Sequence, residues 1–209
     1  MLVLRRQQTR LQYGKISSVV SRFLSSQSDY KTLLLSYSGD DNALATVVLN
    51  RPKKKNAFSR EMYDELGVAL RDLSENKKVK VILLTAAGDN FSSGNDLSNF
   101  SQIMHPLTMA KQSREICYSF VDSFVSCKKS IVVAVNGPAF GIAVTVLGLC
   151  DRIFSSTTAT YKTPFAELGQ VSNICAENIQ VQVRSLVDFT PSLGPKLIAY
   201  HCTISCLGS

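Results

Sequence analysis

The chain has 209 residues, 45% of them apolar, with 23 Lys+Arg against 16 Asp+Glu and a formal net charge of +7. That length suffices for one α/β domain with a full core, or for part of a larger one. No stretch approaches ~18 consecutive apolar residues, which argues against a membrane span. The positive excess is also too localised to be a nucleic-acid surface. Arg5, Arg6, Arg10, Lys15 and Arg22 stand in an acid-free N-terminal segment, and without those five the balance is 18 basic residues against 16 acidic.

Residues 1–28 also carry Ser17, Ser18, Ser21, Ser25, Ser26 and Ser28. An Arg-rich, Ser-rich and acid-free segment has the composition of a mitochondrial transit peptide, and the same residues also fit a plain solvated N-terminus. A matrix destination makes reduced thiols the default for Cys117, Cys127, Cys150, Cys175, Cys202 and Cys206, which form no CxxC pair. His201, Cys202 and Cys206 lack a second ligand cluster, so no metal site is expected. The C-terminal Leu-Gly-Ser is not the Ser-Lys-Leu type of peroxisomal address.

Residues 30–35 and 45–49 read as strands around the turn "SGDDN". The basic loop "NRPKKKNA" follows. Ser59 is placed to cap a helix with Glu61 in its first turn, and Met62, Leu66, Ala69, Leu70 and Leu73 share one face of it. "KVKVILLTA" is a short apolar run bounded by charges and Gly88, as in a buried parallel strand. After the polar loop "GDNFSSGNDLSNF", a long helix fits residues 107–125. "SIVVAVNGPAFGIAVTVLGLCD" reads as strand, glycine turn and apolar helix, with short strands at 152–155 and 159–162. This alternation predicts an α/β fold with a substantially parallel sheet, occupying residues 29–170.

Two loops stand where chemistry is expected. "FSSGNDL" and "NGPAFGIA" each follow a predicted strand, at the edge of an open α/β sheet where ligands bind. Gly94 and Gly141 permit unusual backbone geometry or close approach. A helix beginning after Gly141 would direct free N–H groups outward. Side by side, the two loops could supply two N–H donors to one carbonyl oxygen. Taken singly, each also fits an ordinary strand-to-helix turn. Neither matches a P-loop or a GxGxxG fingerprint.

"TVVLNRPKKKNAFSREMYDEL", "FSSGNDLSNF" and "AVNGPAFGIAVTVLGLCDRIFSSTTATYKTPFAELGQ" resemble the enoyl-CoA hydratase/isomerase (crotonase) superfamily. Within it they are most similar to the Δ3,Δ2-enoyl-CoA isomerase branch, of mitochondrial and peroxisomal type. The resemblance runs from about Tyr30 to Gln170. It implies a crotonase-like (ClpP/crotonase) spiral ββα core, incomplete at its C-terminal side. It also implies an acyl-CoA substrate in fatty-acid β-oxidation, no separate cofactor, a homotrimer, and the peroxisome as the alternative compartment to the matrix. By the same resemblance, the backbone amides of Asn95 and Ile142 form an oxyanion hole. Ser92, Ser93, Gly94, Asn95, Asp96 and Leu97 line the acyl-CoA pocket, together with Gly141 and with Ala57 of the basic loop. Lys53, Lys54 and Lys55 lie near the CoA phosphates, although three lysines in a loop equally describe a solvated surface.

Moving a double bond from C3–C4 to C2–C3 removes a proton from C2 and leaves a thioester enolate. The N–H pair stabilises that charge, and one acid/base carries the proton to C4. In the isomerases this group is a Glu soon after the "LGQ" stretch. In that register it falls on Asn173, which takes up and releases no proton at neutral pH. The hydratase pair of glutamates falls on Thr145 and Phe165. Glu167 and Glu177 are the carboxylates nearest in sequence, and Glu177 requires a rebuilt loop to reach the pocket. Beyond Gln170 the resemblance ends. Residues 171–209 are therefore expected to be a divergent tail, of alternative-transcript or gene-model origin, and the competence of the chain as an isomerase is in question. A non-catalytic acyl-CoA-binding or subunit-interacting protein on the same scaffold is the alternative.

Overall fold

The computed structural model describes residues 30–100 and 105–164, and the backbone of two further strands at 182–188 and 198–203. The first two strands, β1 (Leu33–Ser38) and β2 (Leu44–Leu49), form an antiparallel hairpin with Leu35 opposite Val47. Gly39, Asp41 and Asn42 in its turn all have positive φ, a conformation that glycine, Asp and Asn tolerate best. β1 starts later than the apolar run suggests. The reason lies on helix α1 (Arg60–Glu75), whose Glu65 carboxylate accepts the N–H groups of Lys31 and Thr32 at 2.8 Å each.

Helix α1 follows its sequence signals. Ser59 Oγ accepts the Met62 N–H at 3.3 Å, Glu61 lies in the first turn, and the expected apolar face is buried together with Tyr63. Burial of each such large side chain contributes roughly 1.5–3 kcal/mol. β3 (Val81–Ala86), α2 (Pro106–Val125) and β4 (Ser130–Val135) come next. The apolar stretch after β4 departs from expectation. Its glycine turn holds a short strand, β5 (Ala139–Phe140), and its helix α3 spans only Ile142–Thr145 before tightening into a 3-10 turn at Val146–Leu149. β6 (Arg152–Ser155) and β7 (Tyr161–Lys162) follow, then β8 (Gln182–Asp188) and β9 (Ile198–Thr203).

The larger sheet has the order β1-β2-β3-β4-β6-β9-β8, and β5 pairs with β7 separately. Neighbours from β2 to β6 are parallel, while β1 and the β8–β9 hairpin add antiparallel edges. Within residues 171–209, then, two segments extend the sheet. β3 was expected to be buried on both faces, but it alternates: Ile82, Leu84 and Ala86 are buried while Val81, Leu83 and Thr85 are half-covered. The register aligns the buried residues across strands, with Val47 beside Leu84 and Leu84 beside Val133. Helices α1 and α2 pack against these strands, and Ala143, Val144, Val146 and Leu147 join the same core. Phe58, Tyr63, Phe120 and Phe124 form a chain of aromatic contacts with centroids 4.9–5.6 Å apart, three of the four pairs involving Phe120. Burial, and secondarily Cys117, pushes the Tyr63 phenol far above its ordinary value, so it stays neutral. No described helix is long and apolar enough to cross a membrane.

Candidate functional site

The loops leaving β2, β3 and β4 meet at the carboxyl edge of the parallel strands. In the first, Pro52–Lys54 forms a 3-10 turn, and Lys55 and Asn56 adopt left-handed backbone with φ 49° and 52°. This arrangement turns Lys53, Lys54 and Lys55 outward to solvent and Asn56 inward, where it is fully buried. The Asn56 side chain accepts the Arg51 N–H at 2.8 Å and donates to the carbonyls of Ala87 and Asn90, also at 2.8 Å. One side chain therefore joins the loop leaving β2 to the loop leaving β3.

The second loop is locked to the first by a bridge between Phe58 and Asn95. The Phe58 N–H donates to the Gly94 carbonyl (2.8 Å) and the Phe58 carbonyl accepts the Asp96 N–H (3.0 Å). In such a parallel bridge the N–H of the intervening residue, Asn95, faces away from Phe58. Asn99 holds the same turn, donating to the Phe58 carbonyl and to Asn95 Oδ1 at 2.8 and 2.6 Å. Arg51 reaches across to Asp96, with Nη1 and Oδ2 2.9 Å apart, and also donates to the Ala57 carbonyl. Partial burial alone would raise the Asp96 carboxyl. The N–H and hydroxyl of Ser98, and then Arg51, outweigh it and hold the carboxyl below its ordinary value.

Gly94 is where the third loop arrives. Its φ is +87°, and a Cβ there would lie 2.9 Å from the Phe140 carbonyl oxygen and 3.9 Å from the Gly141 Cα. Only glycine combines that conformation with that approach. Gly141, at φ +55°, donates its own N–H to the Lys162 carbonyl at 2.8 Å and accepts from Val144 and Thr145. Ile142 is the first residue of α3, so its N–H has no acceptor within the helix. Among the described residues no acceptor pairs with the N–H of either Ile142 or Asn95. Each of these amides is next in sequence to one of the two glycines where the loops approach.

The structure thus brings together the loops holding Ala57, Ser92, Ser93, Gly94, Asn95, Asp96, Leu97, Gly141 and Ile142. Several of them sit otherwise than expected of pocket-lining groups. Ser92 is fully buried, with its hydroxyl engaged inside the protein, and Ala57 is 8% exposed. Leu97 is 82% exposed. The Gly141 side of the site is the beginning of a four-residue helix, too short to develop the dipole expected of a long one. Thr145 is buried and donates to the Ile142 carbonyl at 2.9 Å. Asn173, Phe165, Glu167 and Glu177 lie outside the described residues. Sequence reasoning missed Asn56, Asn99 and the Arg51–Asp96 pair. Only the first left a local trace, as an Asn inside a tight basic turn.

The enoyl-CoA hydratase/isomerase family profile matches residues 39–183, a span that continues past Gln170. The chain is 38% identical over 174 residues to human enoyl-CoA delta isomerase 2, covering 81% of this chain and 43% of that protein. It is 39% identical over 137 residues to mouse enoyl-CoA delta isomerase 3, peroxisomal, covering 65% of this chain and 43% of the relative. The crystal structure of an enoyl-CoA hydratase/isomerase from Pseudoalteromonas atlantica T6c superposes with a TM-score of 0.61 at 33% identity, over 70% of this chain and 55% of that one. The chain therefore spans less than half the length of both named relatives. Its fold is the expected crotonase-like α/β core, and the chain belongs to the enoyl-CoA hydratase/isomerase family.

Proposed function

We propose that this chain binds a fatty acyl-CoA thioester at the meeting point of the three loops. Its reaction class is the shift of a 3-enoyl-CoA double bond to the 2-position, as part of fatty-acid β-oxidation. One observation carries the reading: Gly94 lies so close to the Phe140–Gly141 backbone that a Cβ there would clash with it, and the amides that follow the two glycines, on Asn95 and Ile142, have no protein acceptor among the described residues. Deprotonating C2 of a thioester moves negative charge onto the carbonyl oxygen. Two fixed donors stabilise that oxygen as the charge develops, each at a cost of ~3–4 kcal/mol of barrier if lost. Lys53, Lys54 and Lys55, exposed on the adjoining turn, are the groups offered to the CoA phosphates. The substrate brings the thioester itself, so no further cofactor is invoked. A homotrimer is the assembly that accompanies this reading.

Asn173 favours a second reading, a non-catalytic acyl-CoA-binding protein, because an amide transfers no proton at neutral pH. Purified chain given a 3-enoyl-CoA and, separately, a 2-enoyl-CoA distinguishes the two. Turnover of the first that persists in Asn173→Ala and disappears in Glu177→Ala identifies a relocated base. Binding without turnover selects the second reading, and failure to bind either ester sinks both. For compartment, the composition of residues 1–28 supports the mitochondrial matrix. The printed name of the mouse relative makes the peroxisome the competing address. Fluorescent fusions with and without residues 1–28 separate these.

A further inference from the structure

We propose that Ser92 is a positioning residue that fixes the orientation of the Asn95 amide and couples it to the lysine turn. The proposal rests on the acyl-CoA reading above. The N–H of Asn95 belongs to the Gly94–Asn95 peptide, whose carbonyl is held by the Phe58 N–H at 2.8 Å. A trans peptide is planar, so fixing its carbonyl fixes its N–H in the opposite direction. The other side of Gly94 is the weak point. With φ at +87°, glycine has an allowed alternative that no other residue would have, and the preceding peptide is free to rotate unless something holds it. Ser92 Oγ holds it by accepting the Gly94 N–H at 3.1 Å.

The same hydroxyl donates to the Asn56 carbonyl at 2.8 Å, and Ser92 and Asn56 both have 0% exposure. Asn56 is itself immobilised by its bonds to Arg51, Ala87 and Asn90. A second link runs in parallel, from the Ser93 N–H to the Lys55 carbonyl at 2.9 Å. Any shift of the lysine turn when an anion binds is thereby passed to Gly94, and the amide presented to the thioester carbonyl is held in one orientation. Ser92 touches no substrate in this arrangement; its effect passes through Gly94.

The test uses octanoyl-CoA and its thioether analogue octyl-CoA, which lacks the carbonyl oxygen. Calorimetric Kd values for both, with the full chain, isolate what the carbonyl contributes. In Ser92→Ala the preference for thioester over thioether should fall roughly fivefold, the effect of losing one ordinary hydrogen bond. The thioether Kd should move by less than about twofold. The infrared carbonyl stretch of bound octanoyl-CoA should shift back toward its value in free solution. Asn56→Gly keeps the left-handed backbone and its carbonyl while removing the anchor, and should move both readouts in the same direction by less. A generally loosened fold would weaken both ligands together. Parallel weakening, or an unchanged preference in Ser92→Ala, overturns this proposal alone. Failure of the parent chain to bind either ligand overturns the acyl-CoA reading and this proposal with it.

Discussion

At the edge where β2, β3 and β4 end, the Arg51–Asp96 pair has side chains 21% and 16% exposed. At the opposite edge, where β4 begins, the Lys128–Glu75 pair has 68% and 70%. Both are single close contacts, 2.9 and 2.7 Å, between residues far apart in sequence. They differ in what surrounds them. The first is part-buried and lies among the hydrogen bonds that join the loops, so it is largely shielded from solvent. The second stands in solvent, where an ion pair is screened and loses side-chain entropy to hold one geometry. The same chemistry positions the backbone at one edge and only solvates the other.

Substitutions test that contrast, beginning with the greatest expected effect. A methyl group on Gly137 would stand 2.0 Å from the Asp89 carbonyl oxygen, a backbone atom at the ligand-binding edge. Gly137→Ala should therefore cost on the order of 3 kcal/mol or more, read from the urea midpoint. A midpoint matching that of the parent would show these loops to be far more compliant than their packing implies. Gly94→Ala follows, at roughly 2 kcal/mol for strain at positive φ, and the clash with Phe140 should also separate the two loops and abolish thioester binding. Retained binding would remove Gly94 from the argument.

Arg51→Ala removes the guanidinium donor from Asp96 Oδ2 and from the Ala57 carbonyl and should cost about 1–2 kcal/mol. Asp96 also sets a pH signature. Its carboxyl is held lower in the folded chain than in the unfolded one, so the stability it contributes is complete above the unfolded value of about 4. That contribution disappears as pH falls through the folded value, and Asp96→Asn should flatten this part of the acid limb in a pH series of thermal melts. An unchanged acid limb would mean the pair is no tighter than a surface one. The smallest effect is expected at Glu75→Gln, whose melting temperature should be indistinguishable from that of the parent. A measurable loss there would erase the difference between the two edges.

The sequence disclosed the features that obey local rules. Ser59, Glu61 and the apolar spacing of α1 are set by helix geometry, and Gly94 and Gly141 stood out because glycine is what positive φ requires. The length of α3 was misread, since the apolar run "IAVTVLGL" satisfies an α-helix and a 3-10 turn alike. The supports of the site were not legible at all. Ser92 and Asn56 are 36 positions apart and Arg51 and Asp96 are 45 apart. No periodicity along the chain reports on pairs that meet only after two strands have docked. Ser92 in particular looked like a residue of a polar loop, and its complete burial follows from the tertiary approach of the Asn56 backbone.

Those sequence separations also govern when the site comes into being. Each bond to Asn56 or Asp96 from the other loop requires β3 to lie in register beside β2, after α1 has crossed between them, and such non-local closures are slow steps of folding. The hairpin and α1 can form from neighbours in the chain, whereas the Ser93 amide gains its acceptor, the Lys55 carbonyl, only once the crossover is complete. In a refolding experiment with pulsed hydrogen exchange, protection at Ser93 should appear after protection in α1, marking the arrival of a binding-competent chain.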